Sequence, residues 1–147
     1  MSPRLPAPQP DPTAYRLNLW LALASSPRRL LNYLRFRRAA RSPRVTYLPT
    51  RLDIENVSRC NFRCTMCQVS EWPGQQRAKD MSFEDFEALI DSQYGLIEIK
   101  LQGLGEPLLG KCYFAMIRHA RSKHIWVRTT TNASLLHLNE NYKQLID

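Results

Sequence analysis

The strongest constraint on the fold is a regular alternation of strand and helix patterns that starts at Arg51 and runs to the end of the 147-residue chain. Residues 52–57 alternate apolar and polar side chains, as a half-buried strand does. Ser82, with Asp85 three residues on, signals a helix start, and Phe83, Phe86, Leu89 and Ile90 supply one apolar face. In residues 96–101, Ile97, Ile99 and Leu101 alternate with Glu98 and Lys100, which predicts a second strand. Tyr113, Phe114, Ile117 and Ala120 recur at helical spacing within 111–123, residues 125–130 predict a third strand, and another helix pattern begins near Asn139. The order β-α-β-α-β-α gives a parallel sheet with right-handed crossovers. The expected fold class is therefore α/β, a partial (β/α) barrel of about three parallel strands with helices. Three strands are half of a typical sheet of this kind, and the last helix has barely begun at Asp147. The expectation is a truncated chain, or one piece of a larger protein, marginally stable alone because a parallel edge lies open.

Ligands of such folds gather at the C-terminal ends of the strands. Three features fall there: a cysteine cluster after the first strand, Gly103-Leu104-Gly105-Glu106-Pro107 after the second, and Thr130-Thr131-Asn132 after the third. The cluster reads Cys60-x3-Cys64-x2-Cys67, with the fourth cysteine, Cys112, far away. That grouping reads as a metal site rather than a disulfide framework, and it implies a reducing compartment, so the expected location is cytoplasmic. Cysteine thiolates are the usual ligands of iron–sulfur clusters. Three of them can hold three corners of a [4Fe–4S] cube and leave the fourth iron open, as catalytic metal centres do. Arg59 and Arg63 flank the ligands with positive charge that offsets the charge of a cluster. The competing reading is a zinc site completed by Cys112 or a histidine. Zinc motifs pair two cysteines with a second matching pair, which is lacking here, and His119, His124 and His137 are scattered. Cys112 reads as a half-buried helix residue, with service as a further cluster ligand as the alternative.

The cysteine spacing resembles the signature of radical S-adenosylmethionine (radical SAM) enzymes, over roughly residues 51–132. The resemblance implies a core domain of that type at 51–147, a [4Fe–4S] cluster held by Cys60, Cys64 and Cys67, and SAM bound to the open iron. It also implies reductive cleavage of SAM to a 5′-deoxyadenosyl radical that abstracts a substrate hydrogen. Met66 stands where the family has a residue near the adenine. Gly103, Gly105 and Glu106 resemble the family's Gly-Gly-Glu-Pro loop at the SAM amino group, with Leu104 in place of the first glycine of the pair. Asn132, with Thr130 and Thr131, resembles the polar end of the family's third strand, near SAM or substrate. The wording of the core motif is similar to that of the group whose members often carry a C-terminal SPASM-type auxiliary-cluster region. Partners implied are a peptide or small-molecule substrate and an electron donor such as flavodoxin or ferredoxin. No catalytic side chain is assigned from sequence. The alternative reading is a non-catalytic iron–sulfur fragment or interaction protein, and a third is a zinc-binding nucleic-acid module.

The formal charge of +8 is placed unevenly. Residues 1–51 hold ten arginines and one acid, Asp11, whereas 52–147 hold eleven basic and twelve acidic residues. The excess belongs to the leader, so a nucleic-acid surface over the whole domain is not implied. Residues 1–12, with five prolines, are expected to be disordered. Within 13–41, Leu17, Trp20, Leu21 and Ala24, then Leu30, Leu31 and Leu34, mark one or two short helices, with Ser26-Pro27 as a cap and first-turn proline. The leader, 1–50, is read as a solvated basic helical segment on the domain edge. Contact with a membrane surface or RNA is the sharper alternative. The apolar stretch 17–24 and the Arg-rich start also resemble targeting signals. No run approaches the roughly 18–20 apolar residues of a membrane span.

Overall fold

The computed structural model describes residues 12–39, 44–73 and 79–146. The expected disorder of the first residues concerns positions outside that set, apart from Pro12, which opens a helix.

Three strands, β1 (Arg51–Ile54), β2 (Glu98–Leu101) and β3 (Trp126–Arg128), form one parallel sheet in the order β1-β2-β3. Leu52 lies opposite Ile99, and Ile99 opposite Val127. Side chains alternate across a strand, so Leu52, Ile54, Ile99, Leu101 and Val127 share one face. Two crossover helices cover that face. They are α4 (Phe83–Ser92) and α5 (Tyr113–Ser122), numbered after α1 (Pro12–Ala24), α2 (Pro27–Arg38) and the single turn α3 (Gln68–Glu71). The core comprises Ile54, Phe86, Ile90, Leu96, Ile99, Leu101, Tyr113, Met116, Ala120 and Ile125. Ser82 caps α4 as its sequence predicts: its Oγ accepts from the Asp85 N–H at 3.0 Å and donates to the Asp85 carboxylate at 2.7 Å. Among the described residues the chain ends in α6 (Asn141–Ile146).

The opposite face of the sheet is polar. Glu98, 3% exposed, is gripped by Arg51 at 2.7 Å and Arg128 at 3.3 Å from the two neighbouring strands. The Arg128 guanidinium also lies 5.6 Å from the Trp126 ring. A buried carboxylate needs such partners to offset its desolvation.

The strands are shorter than predicted. The first stops at Ile54 because Asn56 leaves the ladder: its carbonyl accepts from Met81 N–H at 3.0 Å and its amide donates to Pro107 O at 3.1 Å. The leader forms two helices, as expected, and α2 has its faces the other way round from an ordinary edge helix. α2 turns Arg29 and Asn32 inward, while Leu30, Leu31 and Leu34 remain exposed. Arg29 donates to Ala22 O, Ser25 Oγ and Tyr94 O, and Asn32 exchanges two hydrogen bonds with the Leu48 backbone. Burial lowers the Arg29 pKa from its ordinary value. Ala22 and Leu23 pack on Ile97, and Tyr15 on Trp126, which seats the leader at the N-terminal ends of β2 and β3.

Candidate cluster and cofactor site

A parallel sheet brings the loops after all three strands to one rim, and here hydrogen bonds tie those loops together. The cysteine loop leaves β1 anchored by buried Val57 and rejoins the fold through buried Val69 of α3. Between these anchors, Cys67 N–H donates to Cys64 O and Ser70 N–H to Cys67 O, both at 3.0 Å. Cys64 is exposed, Cys60 and Cys67 are half-buried, and all are free thiols. The loop carries its sulfurs at the surface on a fixed backbone.

Gly105 is the point where the second loop presses on the first. A Cβ there would lie 2.2 Å from Val57 O and 2.7 Å from Arg59 O, too close for any side chain. The next residue seals this contact, since Glu106 N–H donates to Arg59 O at 2.9 Å. Gly103 gives room in the same way for the Glu55 side chain, whose carboxylate accepts from Leu104 N–H at 2.7 Å.

Glu106 is 2% exposed. One of its oxygens accepts from Thr131 Oγ at 2.6 Å and Leu108 N–H at 3.2 Å, and the other from Asn132 N–H at 2.8 Å. The carboxylate therefore fastens the loop after β3 to the loop after β2. Asn132 carries the link onward. Its amide nitrogen lies 3.0 Å from Asn61 Oδ1 and 3.7 Å from Cys60 Sγ, and its amide oxygen accepts from Ser134. Ala133, at φ 64°, makes the turn that follows. Cys60 Sγ also accepts from Phe62 N–H at 3.4 Å.

Of the residues expected at the site, the structure thus connects Cys60, Gly105, Glu106 and Asn132 directly, with Gly103 beside them and Cys64 and Cys67 on the same loop. Met66 is 99% exposed and is brought to none of the others. Arg59 has a task that its sequence position does not reveal: its guanidinium pairs with Asp80 and donates to Leu109 O at 2.7 Å. It braces the loop. Cys112 caps the start of α5 and packs against the core.

Sequence reading missed three contributors: Glu55, Asn61 and Ser134. Glu55 could have been flagged by its position at the end of a strand. The other two carry no signal beyond their side-chain chemistry. Asp53, Glu55, Lys100, Gln102, Gly103 and Leu104 line a shallow cavity of about 350 Å³ on the polar face. Gln102 Oε1 is a buried acceptor there, without a partner among the described residues. Behind the rim, burial raises the pKa of the Tyr113 phenol above its ordinary value; Thr129 opposes this and the charge of Glu106 adds to it.

The donor set suits an iron–sulfur cube: three soft thiolates on one loop, with backbone and amide N–H groups directed at one sulfur. Among the described residues no three His, Cys, Asp or Glu side chains converge on a single ion-sized point. A cube takes its thiolates at separate corners, further apart than one ion does.

The family model described as the radical SAM superfamily matches residues 55–147. The chain is 30% identical over 99 residues to a tungsten-containing aldehyde ferredoxin oxidoreductase cofactor-modifying protein of Pyrococcus furiosus, covering 65% of this chain and 27% of that one. It is 34% identical over 97 residues to a GTP 3′,8-cyclase of Ectopseudomonas mendocina, covering 63% and 28%. The chain thus spans about a quarter of the length of these relatives. The fold resembles the crystal structure of BtrN in complex with AdoMet and 2-DOIA, with a TM-score of 0.54 at 21% identity, over 67% of this chain and 42% of the other. With the family model spanning the cysteine loop, the Gly-Glu-Pro loop and all but the first strand, the chain belongs to the radical SAM superfamily.

Proposed function

We propose that this chain is the cluster- and SAM-binding part of an enzyme that removes a hydrogen atom from a polar substrate. Members of the superfamily use a [4Fe–4S] cluster and SAM. When bound, the cluster supplies the electron that cleaves SAM to methionine and a 5′-deoxyadenosyl radical. Cys60, Cys64 and Cys67 would hold three irons. The observation that carries this reading is the chain of contacts from Glu106 through Asn132 to Cys60, because it joins the loops of all three strands into one rigid rim. Preorganisation of this kind is what a site needs to hold reacting groups in register.

Gly105 and Glu106 have a positioning task in this scheme. They fix the cysteine loop from behind, and the exposed residues 103 and 104 remain beside the rim for the methionine end of SAM. The polar sheet face, with Asp53, Glu55, Lys100 and Gln102, favours a substrate that carries hydrogen-bonding groups. The resemblance to the SPASM-bearing group and the need for a flavodoxin- or ferredoxin-like electron donor belong to this proposal.

The test is formation of 5′-deoxyadenosine by the anaerobically reconstituted, reduced chain. Product that disappears in Cys60→Ala, Cys64→Ala and Cys67→Ala supports the reading. A folded, cluster-loaded chain that binds SAM and never cleaves it would leave cluster binding alone, the second reading. That reading draws on the small share of its relatives that the chain spans.

A further inference from the structure

We infer that the leader hairpin, α1 and α2, is a docking surface for an anionic membrane surface. The carrying observation is the reversal of α2. A helix on a domain edge normally buries its leucines and wets its polar residues. Here Arg29 and Asn32 are buried, at 6% and 2% exposure, while Leu31 stays 51% exposed, with Leu30 and Leu34 also outward. In α1, Ala22 and Leu23 are buried, and the outward face carries Leu17 at 60% and Trp20 at 69% exposure, beside Leu21. Six large apolar side chains on one hairpin exceed the scattered exposure of an ordinary surface and mark a site of interaction.

Charge identifies the occupant. Arg16, Arg28, Arg35, Arg37 and Arg38 are exposed on the same two helices. No acidic residue occurs between Pro12 and Leu52. Outward leucines and a tryptophan flanked by arginines match a helix lying in the headgroup layer, its rings and methyls below the phosphates and its guanidinium groups among them. A second copy of the chain fits poorly, since two-fold apposition would set arginine against arginine with no acid in either helix to neutralise it. No helix among the described residues is long and apolar enough to cross a membrane, so the contact is interfacial. The hairpin sits at the strand ends opposite the cysteine rim, which leaves the cluster site facing away from the lipid.

The experiment is co-sedimentation of the full chain with vesicles of phosphatidylcholine alone or mixed with phosphatidylserine, with Trp20 fluorescence as a second readout. The proposal expects binding to the anionic vesicles that weakens as salt rises, and a blue-shifted emission component that Trp20→Phe removes. The exposed double variant Arg35→Gln/Arg38→Gln should lose roughly 25-fold in partitioning, from about 1 kcal/mol per basic residue near the surface. Trp20→Ser and Leu31→Ser should weaken binding while circular dichroism remains unchanged, because neither side chain is in the core. Three outcomes overturn it: no vesicle binding by folded monomer, equal and salt-insensitive binding to neutral vesicles, or self-association that Trp20→Ser abolishes.

Discussion

At the scale of single residues, the site depends on two that never need to touch a ligand. Gly105 lets the second loop lie against the cysteine loop, with only 2.2 Å between its missing Cβ and Val57 O. Gly105→Ala is expected to cost about 1–3 kcal/mol, the range for overpacking, and to lower cluster occupancy, read by chemical denaturation and by iron content. Asn132 has a different kind of influence. Its amide is directed at Cys60 Sγ, and hydrogen bonds to cluster sulfurs raise reduction potentials by spreading negative charge. Asn132→Ala should therefore shift the cluster potential to a more negative value, measured by redox titration, whereas Asn132→Ser should recover part of the difference. The superfamily was legible in the sequence because the residue types and spacing of the cysteine and Gly-Glu-Pro loops are themselves the signal. That Glu106 is a buried bracket was not legible, since it depends on Thr131 and Asn132 arriving 25 and 26 residues later at the same point. The pairing of Arg59 was not legible for the same reason, since it depends on the chain folding Asp80 against it.

At the scale of elements, local signals performed well where a cap defined them. Ser82 holds the first turn of α4, and Ser82→Ala should destabilise the fold by about 1 kcal/mol, visible as a lower denaturation midpoint with an unchanged slope. The far end of the same helix meets α5 through charge. Asp91 accepts from Lys123 and His119, each at 3.0 Å, and Glu87 faces the same imidazole at 3.5 Å. The Lys123 hydrogen bond is the main cause that holds the Asp91 carboxyl below its ordinary pKa; burial opposes it, and His119 adds to the lowering. The unfolded chain therefore binds this proton more readily than the native one does. The stability it contributes is present above the ordinary carboxylate range and fades as pH falls through that range. Asp91→Asn should remove this contribution near neutrality, where solvent screening keeps it small, and change nothing at the acid end, so that the acid limb of the stability profile is flattened. Periodicity had a limit at this scale. It correctly placed helices in the leader, yet it says which residues share a face and not which face turns inward. The reversal of α2 was settled by Arg29 and Asn32 finding carbonyls at Ala22, Tyr94 and Leu48.

At the scale of the whole molecule, the two proposed surfaces lie at opposite ends of one small sheet. The C-terminal ends of the strands carry the cysteine loop and the two loops that lock it. The N-terminal ends carry the arginine-rich hairpin. The alternation of strand and helix was enough to predict the parallel order and hence the common rim, because parallel connection leaves few topologies open. The polar face of the sheet was visible only as alternation; that Arg51 and Arg128 converge on Glu98 across three strands required the register.

A cluster on Cys60, Cys64 and Cys67 with one iron open to SAM is tested most directly by the electron paramagnetic resonance spectrum of the reconstituted, dithionite-reduced chain, recorded with and without SAM. The spectrum should show a [4Fe–4S]⁺ signal that changes when SAM is added and is absent from the three alanine variants. A folded chain that takes up no cluster, or a cluster signal indifferent to SAM, would contradict it.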